Sequence, residues 1–262
     1  MNDKQINMQT ILITGANGFV GQNLQLHLSE RKGLHVRCFT RANTVAELPA
    51  LLDGVDFVIH LAGVNRPQDP AEFATGNTDL TQALATAVAD VALRTGKKVP
   101  VVYTSSTQAE RDNPYGQSKR AAEDALFTLQ RAHGVPVHVF RLPNVFGKWC
   151  KPNYNSAVAT FCHHIARDLP ITVNDPAAPV TLVYVDDVIA RFVQIMDGAD
   201  PALDAQGFAT VAPQHTTTVG ELAHTIQSFK DSRDTLMTER VGKGPVPYTP
   251  LTLPTICGGW NS

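Results

Sequence analysis

The 262-residue sequence is poor in cysteine: it has only Cys38, Cys150, Cys162 and Cys257, and no two of them stand in a Cys-x-x-Cys spacing. That scarcity excludes a disulfide framework and a cysteine-rich zinc module, so reduced, buried thiols are expected. Cys162-His163-His164 is the one run that looks metal-like. Adjacent residues on a helix point in different directions, so no metal site is expected there. An excess of charge is missing too. Lysine and arginine number 22 against 24 acidic residues, a formal net charge of −2. This leaves no electrostatic case for a nucleic-acid or anionic-membrane partner. No apolar run reaches the about 18 residues that read as a membrane span. The opening Met1-Asn2-Asp3-Lys4-Gln5 lacks the basic start and apolar stretch of a signal peptide. A cytoplasmic protein is the expectation. Internal repeats and low-complexity segments are also lacking.

What the sequence does have is an alternation of strand and helix patterns. Strands are predicted at Thr10–Thr14, His35–Phe39, Asp56–Leu61, Val99–Thr104 and Pro136–Leu142. Helices are predicted at Gly21–Arg31, Val45–Leu52, Leu80–Thr95 and Gln117–His133. This order implies an α/β fold, a doubly wound parallel sheet of Rossmann type with helices on both faces. Right-handed crossovers then gather the loops after each strand at one edge, where ligands bind. From about Trp149 the pattern changes. Helices are predicted at Ser156–Arg167, Asp187–Met196 and Val219–Phe229, with strands at Ile171–Val173 and Val180–Val185.

The first strand runs into Thr14-Gly15-Ala16-Asn17-Gly18-Phe19-Val20-Gly21, glycines at spacings of three and three before a helix. Gly15 permits the tight turn, Gly18 lets backbone N–H groups approach a pyrophosphate, and Gly21 allows close helix–strand packing. Further on, Thr104-Ser105-Ser106 precedes Tyr115-Gly116-Gln117-Ser118-Lys119, a Tyr-x-x-x-Lys pair one helical turn apart on one face. A cation some 4 Å from the phenolate is worth about 4 kcal/mol at an effective dielectric of ~20, enough to bring the phenol near 7. Tyr115 is therefore the candidate acid/base, with Lys119 beside it.

These motifs, with Phe57-Val58-Ile59-His60-Leu61-Ala62-Gly63 and Arg141-Leu142-Pro143-Asn144-Val145-Phe146-Gly147, resemble the extended short-chain dehydrogenase/reductase family over roughly residues 8 to 235. The resemblance implies a nicotinamide dinucleotide held by Gly15, Asn17, Gly18, Phe19, Val20, Gly21, Leu61, Ala62, Gly63 and Pro143. It also implies a Ser106, Tyr115, Lys119 catalytic set, with Lys119 on the nicotinamide ribose. Only nine positions separate Ser106 from Tyr115, fewer than extended members usually have. Ser105 and Thr107 therefore stay open as alternatives for the hydroxyl.

At the end of the second strand, where an NAD enzyme places an acid for the ribose 2′-OH, stands Phe39-Thr40-Arg41. Arg41 suits a 2′-phosphate, so NADPH is expected over NADH. The long run Arg141–Ser156, with Ala157–Cys162 after it, resembles one subfamily. Its members are capsule and O-antigen enzymes that reduce the C4 ketone of a UDP-2-acetamido-2,6-dideoxy-L-hexos-4-ulose. The resemblance implies UDP-sugar contacts from Asn144, Lys148, Lys151, Asn153 and Asn155. A homodimer is the expected assembly. Two other readings compete: an NAD-dependent nucleotide-sugar epimerase or dehydratase, and a non-catalytic NADPH-sensing regulator. Thr107-Gln108-Ala109 lacks a dehydratase's acidic pair, an epimerase would favour an acid near position 41, and regulators usually lose the Tyr or the Lys.

The domain expectation is a dinucleotide-binding domain over 1–147, a substrate-binding lobe over 148–241 with some return to the first, and an irregular tail over 242–262. The tail holds eight Gly or Pro. Relatives in the subfamily continue into a zinc-binding cupin that epimerises C3. Codons for Pro247–Thr252 read one base earlier can spell Ala-Leu-Tyr-Ser-Thr-Tyr, like the aromatic linker before that cupin, so a frameshifted remnant is the expectation here.

Overall fold

The structure, a computed structural model, describes residues 8–235. The tail expected over 242–262, its frameshift reading and Cys257 lie outside the described residues. The chain divides into two compact units. One contains the chain up to Leu142 together with Ile189–Thr210, and the other contains Pro143–Val188 and the chain from Val211. The division thus falls at 142 rather than at 147. Asn144–Phe146 forms a short strand that pairs outside the first sheet, which draws the boundary forward.

The first unit is built on five parallel strands: β1 (Gln9–Thr14), β2 (Leu34–Phe39), β3 (Phe57–His60), β4 (Val101–Ser106) and β5 (Val137–Leu142). Their order in the sheet is β2-β1-β3-β4-β5. Strands covered on both faces read as continuous apolar runs rather than alternating ones. Ile11, Leu12 and Ile13 of β1 and Phe57, Val58 and Ile59 of β3 are buried without exception. The helices are α1 (Phe19–Ser29), α2 (Leu48–Leu52), α3 (Leu80–Thr95) and α4 (Pro114–His133). A π-turn, Ala74–Asp79, leads into α3. The helix ends follow local chemistry. Asn113 caps α4 by accepting from the Gly116 N–H at 2.8 Å, with Pro114 at the first position. Gly96 and Gly134 close α3 and α4 in the left-handed conformation, which glycine adopts without steric cost.

The capped start places α4 three residues before the predicted Gln117, so Tyr115 lies within the helix and shares its face with Lys119. In the sheet, β1 is followed outward by β2 on one side and β3 on the other. The strand order therefore reverses between β1 and β3, the position where open α/β sheets bind ligands.

The second unit carries β6 (Asn144–Phe146), α5 (Ala157–Ile165), β7 (Pro179–Tyr184), β8 (His215–Thr218) and α7 (Val219–Thr235). Its sheet is ordered β6-β7-β8, with β6 parallel and β8 antiparallel to β7. The strand predicted at Ile171–Val173 does not form; that stretch is irregular. Its apolar residues are too few and too closely flanked by Pro170 and Asn174 to sustain a ladder. Helix α6 (Val185–Met196) begins in the second unit and ends in the first. Among the described residues, no helix is long and apolar enough to cross a membrane.

Candidate active site

At the switch point, Gly15 has φ +70° and lies against the loop after β3: a Cβ there would stand 2.6 Å from the Ala62 nitrogen. A Cβ on Gly21 would stand 2.5 Å from the Gly15 carbonyl oxygen and 2.6 Å from that of Ala16. Only glycine fits either position, because the obstructing atoms are backbone. Gly18 is the N-cap of α1, and no side chain caps that end. Its first-turn N–H groups thus face outward with the positive end of the helix dipole. Asn17 and Gly18 are exposed, and Phe19 and Val20 half-buried. Across the switch point lie Leu61 and Ala62, half-buried, and Gly63, exposed. The Ala62 N–H donates to the Thr14 hydroxyl at 3.2 Å. Arg41 is exposed in the turn after β2. The nearest following acid, Glu47, is engaged in a capping box with Thr44 and accepts from Asn43 at 2.9 Å.

The Ser/Tyr/Lys set converges at the end of β4. The nine-position connection is a 3-10 turn, Thr107–Glu110, packed onto the first turn of α4. A Cβ on Gly116 would stand 2.3 Å from the Arg111 carbonyl oxygen, so glycine permits this short connection. Ser106 accepts from the Gln108 N–H at 3.2 Å and hydrogen-bonds the Tyr115 phenol. Ser105 is instead buried and bonded to Glu123, while Thr107 is exposed. Of the three candidate hydroxyls, Ser106 is the one bonded to Tyr115.

Lys119 is 5% exposed; it donates to the Thr104 carbonyl at 2.9 Å and stands 4.7 Å from the Tyr103 ring centre. Burial pushes its pKa down to about 8, against an opposing pull from Glu123. The expectation that Lys119 draws the Tyr115 phenol toward 7 is corrected here. Burial pushes the phenol above its ordinary value, and the Ser106 bond only partly opposes this. The ammonium is directed to Thr104 and Tyr103, so desolvation governs the phenol.

Two buried groups were given no role by the motif reading. Glu123, 2% exposed, takes Arg141 in a two-pronged ion pair, Nε–Oε1 at 3.0 Å and Nη2–Oε2 at 2.7 Å. A glutamate one turn beyond Lys119 on the same inward face was the available signal. His60, fully buried with its pKa pushed down to about 3 by burial and by Lys119, is neutral. The Thr81 hydroxyl donates to the Asn77 carbonyl at 2.6 Å and accepts from His60 Nε2 at 2.8 Å. That fixes Nδ1 as the acceptor from the Thr14 hydroxyl, at 2.5 Å. The phosphate-loop strand and α3 are thereby tied through one imidazole.

The remaining predicted residues lie in the second unit. Pro143 and Lys148 are half-buried, and Asn144, Lys151, Asn153 and Asn155 are exposed. Two of them already serve the fold. Asn144 donates to the Thr181 carbonyl at 3.1 Å, and the Asn153 side chain bonds the His164 ring at 2.9 Å. The Lys148 ammonium stands 5.9 Å from the Trp149 ring centre.

Residues 11–205 match the NAD dependent epimerase/dehydratase family. The chain belongs to that family. Its members and structural neighbours bind NAD or NADP, and this chain carries the glycine loop and the Tyr-x-x-x-Lys pair in the family's sheet. Among relatives, a UDP-2-acetamido-2,6-beta-L-arabino-hexul-4-ose reductase of Pseudomonas aeruginosa is 55% identical over 235 residues, 89% of this chain and 61% of the relative. The crystal structure of the capsular polysaccharide assembling protein CapF from Staphylococcus aureus is 39% identical, with a TM-score of 0.78. The match covers 94% of this chain and 64% of that one. The chain thus spans under two thirds of the length of both. A UDP-glucuronic acid 4-epimerase from Bacillus cereus, solved with NAD, shares the family fold at 19% identity and a TM-score of 0.72. That match covers 85% of this chain and 84% of the epimerase.

Proposed function

We propose that this member of the epimerase/dehydratase family is an NADPH-dependent reductase of the C4 ketone of a UDP-2-acetamido-2,6-dideoxy-L-hexos-4-ulose, in capsule or O-antigen nucleotide-sugar synthesis. The 55% identity to the Pseudomonas aeruginosa reductase over 89% of the chain carries the reading.

The glycine cradle fits a pyrophosphate, since the uncapped N-terminus of α1 offers N–H groups where Gly15 and Gly21 permit close approach. Gly15, Asn17, Gly18, Phe19, Val20 and Gly21 would hold the diphosphate. Leu61, Ala62, Gly63 and Pro143 would flank the dinucleotide, and Tyr115 and Lys119 would face its ribose. The finer choice of NADPH rests on Arg41, a forked donor suited to a 2′-phosphate, and on Glu47 being occupied in its capping box. The bound dinucleotide supplies the hydride. Ser106 holds the ketone oxygen by hydrogen bond, and Tyr115 delivers its phenolic proton to the oxygen as charge develops there. Lys148 and Lys151 offer cations to a diphosphate, and Asn144, Asn153 and Asn155 offer amides to sugar hydroxyls.

The test is NADPH deuterated at the transferred position, offered with a panel of UDP-4-keto sugars. Deuterium is expected at C4 of a UDP-6-deoxy-4-ketohexosamine. Label elsewhere on the sugar, or NADPH binding without oxidation by any 4-keto sugar, would overturn the reading; the latter outcome fits a regulator.

A further inference from the structure

Two glutamines of α1 reach back onto the glycine loop. Gln22 Nε2 donates to the Asn17 carbonyl at 2.9 Å. Gln25 Nε2 donates to the Ala16 carbonyl at 2.7 Å and to the Gly21 carbonyl at 3.2 Å. Gln22 is exposed, whereas Gln25 is half-buried and held from behind as well. Burial pushes the Cys38 thiol up and so keeps it protonated, and it donates to Gln25 Oε1 at 3.3 Å. A donating thiol faces the amide oxygen, which leaves the amide nitrogen aimed at the loop.

The effect falls on the Ala16–Asn17 peptide. A trans peptide is planar, with its carbonyl and N–H on opposite sides. Gln25 holds the carbonyl on the side where Ala16 is fully buried. Gly21 makes room for it, since a Cβ there would stand 2.6 Å from that oxygen. The Asn17 N–H therefore turns the other way, where Asn17 is exposed, and has no partner among the described residues. The peptides on either side are tied to each other by backbone, the Gly18 N–H donating to the Gly15 carbonyl at 2.9 Å. For the Ala16–Asn17 peptide between them, a side chain sets the direction.

We propose that Gln25 is a positioning residue for the dinucleotide: it sets the Ala16–Asn17 peptide so that the Asn17 N–H already faces the diphosphate when the cofactor arrives. The inference rests on the reading of the glycine loop as the diphosphate site. Without the amide, the peptide rotates about its flanking torsions, and affinity falls by the fraction of the chain that leaves the competent orientation. NADPH and NADH share the diphosphate, so both lose equally. Arg41 differs in this respect, because its removal changes their ratio.

The experiment uses the full chain with Gln25→Met and Gln25→Lys. NADPH and NADH are titrated by fluorescence, and the unliganded proteins are melted. Methionine matches glutamine in length and helix propensity but has no N–H. Gln25→Met should weaken both dinucleotides about tenfold, with their ratio kept within about twofold. Lysine restores donors without the oxygen that Cys38 uses, so Gln25→Lys should bind NADPH within about threefold of wild type. A merely structural role would lower the melting temperature of Gln25→Met and leave its affinities alone. NADPH binding by Gln25→Met within about twofold of wild type overturns the proposal, as does a Gln25→Lys as weak as Gln25→Met. An unmutated chain that binds neither dinucleotide overturns the reading of the loop and the proposal with it. One that binds NADPH but reduces no sugar overturns the proposed function alone, and the binding constants still judge Gln25.

Discussion

The loop after β1 and the loop after β6 are both irregular and both polar, yet they are held by different forces. In the first, backbone meets backbone: Gly15 against Ala62, Gly21 against Gly15 and Ala16, each at 2.5–2.6 Å from an added Cβ. In the second, side chains hold the path. Trp149 and Asn153 take left-handed φ values of 64° and 56°, which are uncommon for any residue but glycine. The Asn153 N–H donates to Thr160 at 2.9 Å, Thr160 donates to the Ser156 carbonyl at 2.8 Å, and His164 bonds the Asn153 amide. A position closed by backbone admits one residue type. A position held by side chains admits several, and the same amide serves either the fold or a ligand.

That contrast can be broken by substitution. Tyr115→Phe has the largest expected effect: NADPH titrates as in wild type, while ketone reduction falls about a hundred- to ten-thousand-fold, the usual worth of a general acid. Retained turnover would assign the proton to another group. Gly21→Ala comes next. Helix propensity alone favours alanine by about 1 kcal/mol, but contact with two carbonyl oxygens should reverse the sign, with a loss of about 1–3 kcal/mol by denaturant melts. Asn155→Ala in the second loop should stay within about 0.5 kcal/mol. Equal stabilities for that pair would erase the distinction between backbone-held and side-chain-held loops.

Arg41 tests whether an exposed side chain in the first unit sets a preference. Arg41→Ala should narrow the gap between NADPH and NADH affinities by about 1–3 kcal/mol, read by parallel titrations. Equal affinities in the unmutated chain would remove the basis for NADPH. The smallest effect separates two neighbours. Asn153→Ala should lower stability by about 1 kcal/mol through its lost His164 bond. Lys151→Ala should leave melting unchanged and raise the sugar KM. Matching behaviour of the two would merge their roles.

The parallel sheet was legible because its strands are apolar on both faces, whereas the Asn113-Pro114 cap of α4 was overlooked and the predicted start fell at Gln117. The short strands β6 and β8 were missed because, unlike the four-residue β3 with its three successive apolar residues, Asn144–Phe146 and His215–Thr218 carry too little apolar pattern to register. The apolar Ile171–Val173 read as a strand, with no ladder partner visible in sequence. At the candidate site, spacing put Tyr115 and Lys119 one turn apart on a helix, and the structure holds both within α4. Spacing misled on the phenol's pKa, because the direction of a lysine ammonium and the degree of burial are tertiary facts. His60 stood within a quoted motif but received no role, because its partners Thr14 and Thr81 are distant in sequence.

The return of Ile189–Thr210 to the first unit has a consequence for any attempt to cut the protein at Leu142. Strand β5 is the last of its sheet, and a bare edge strand invites pairing with another chain. Here Phe192 packs edge-on against Phe140 with ring centres 5.1 Å apart, and the Ala209 N–H donates to the Val139 carbonyl at 2.8 Å. The Arg141 guanidinium lies 3.8 Å from the Phe208 ring centre. The segment is a sealed seam along the sheet's open side, so a fragment ending at Leu142 would expose β5 and aggregate. A nick within the 143–188 insertion would leave the two pieces stitched together under native conditions.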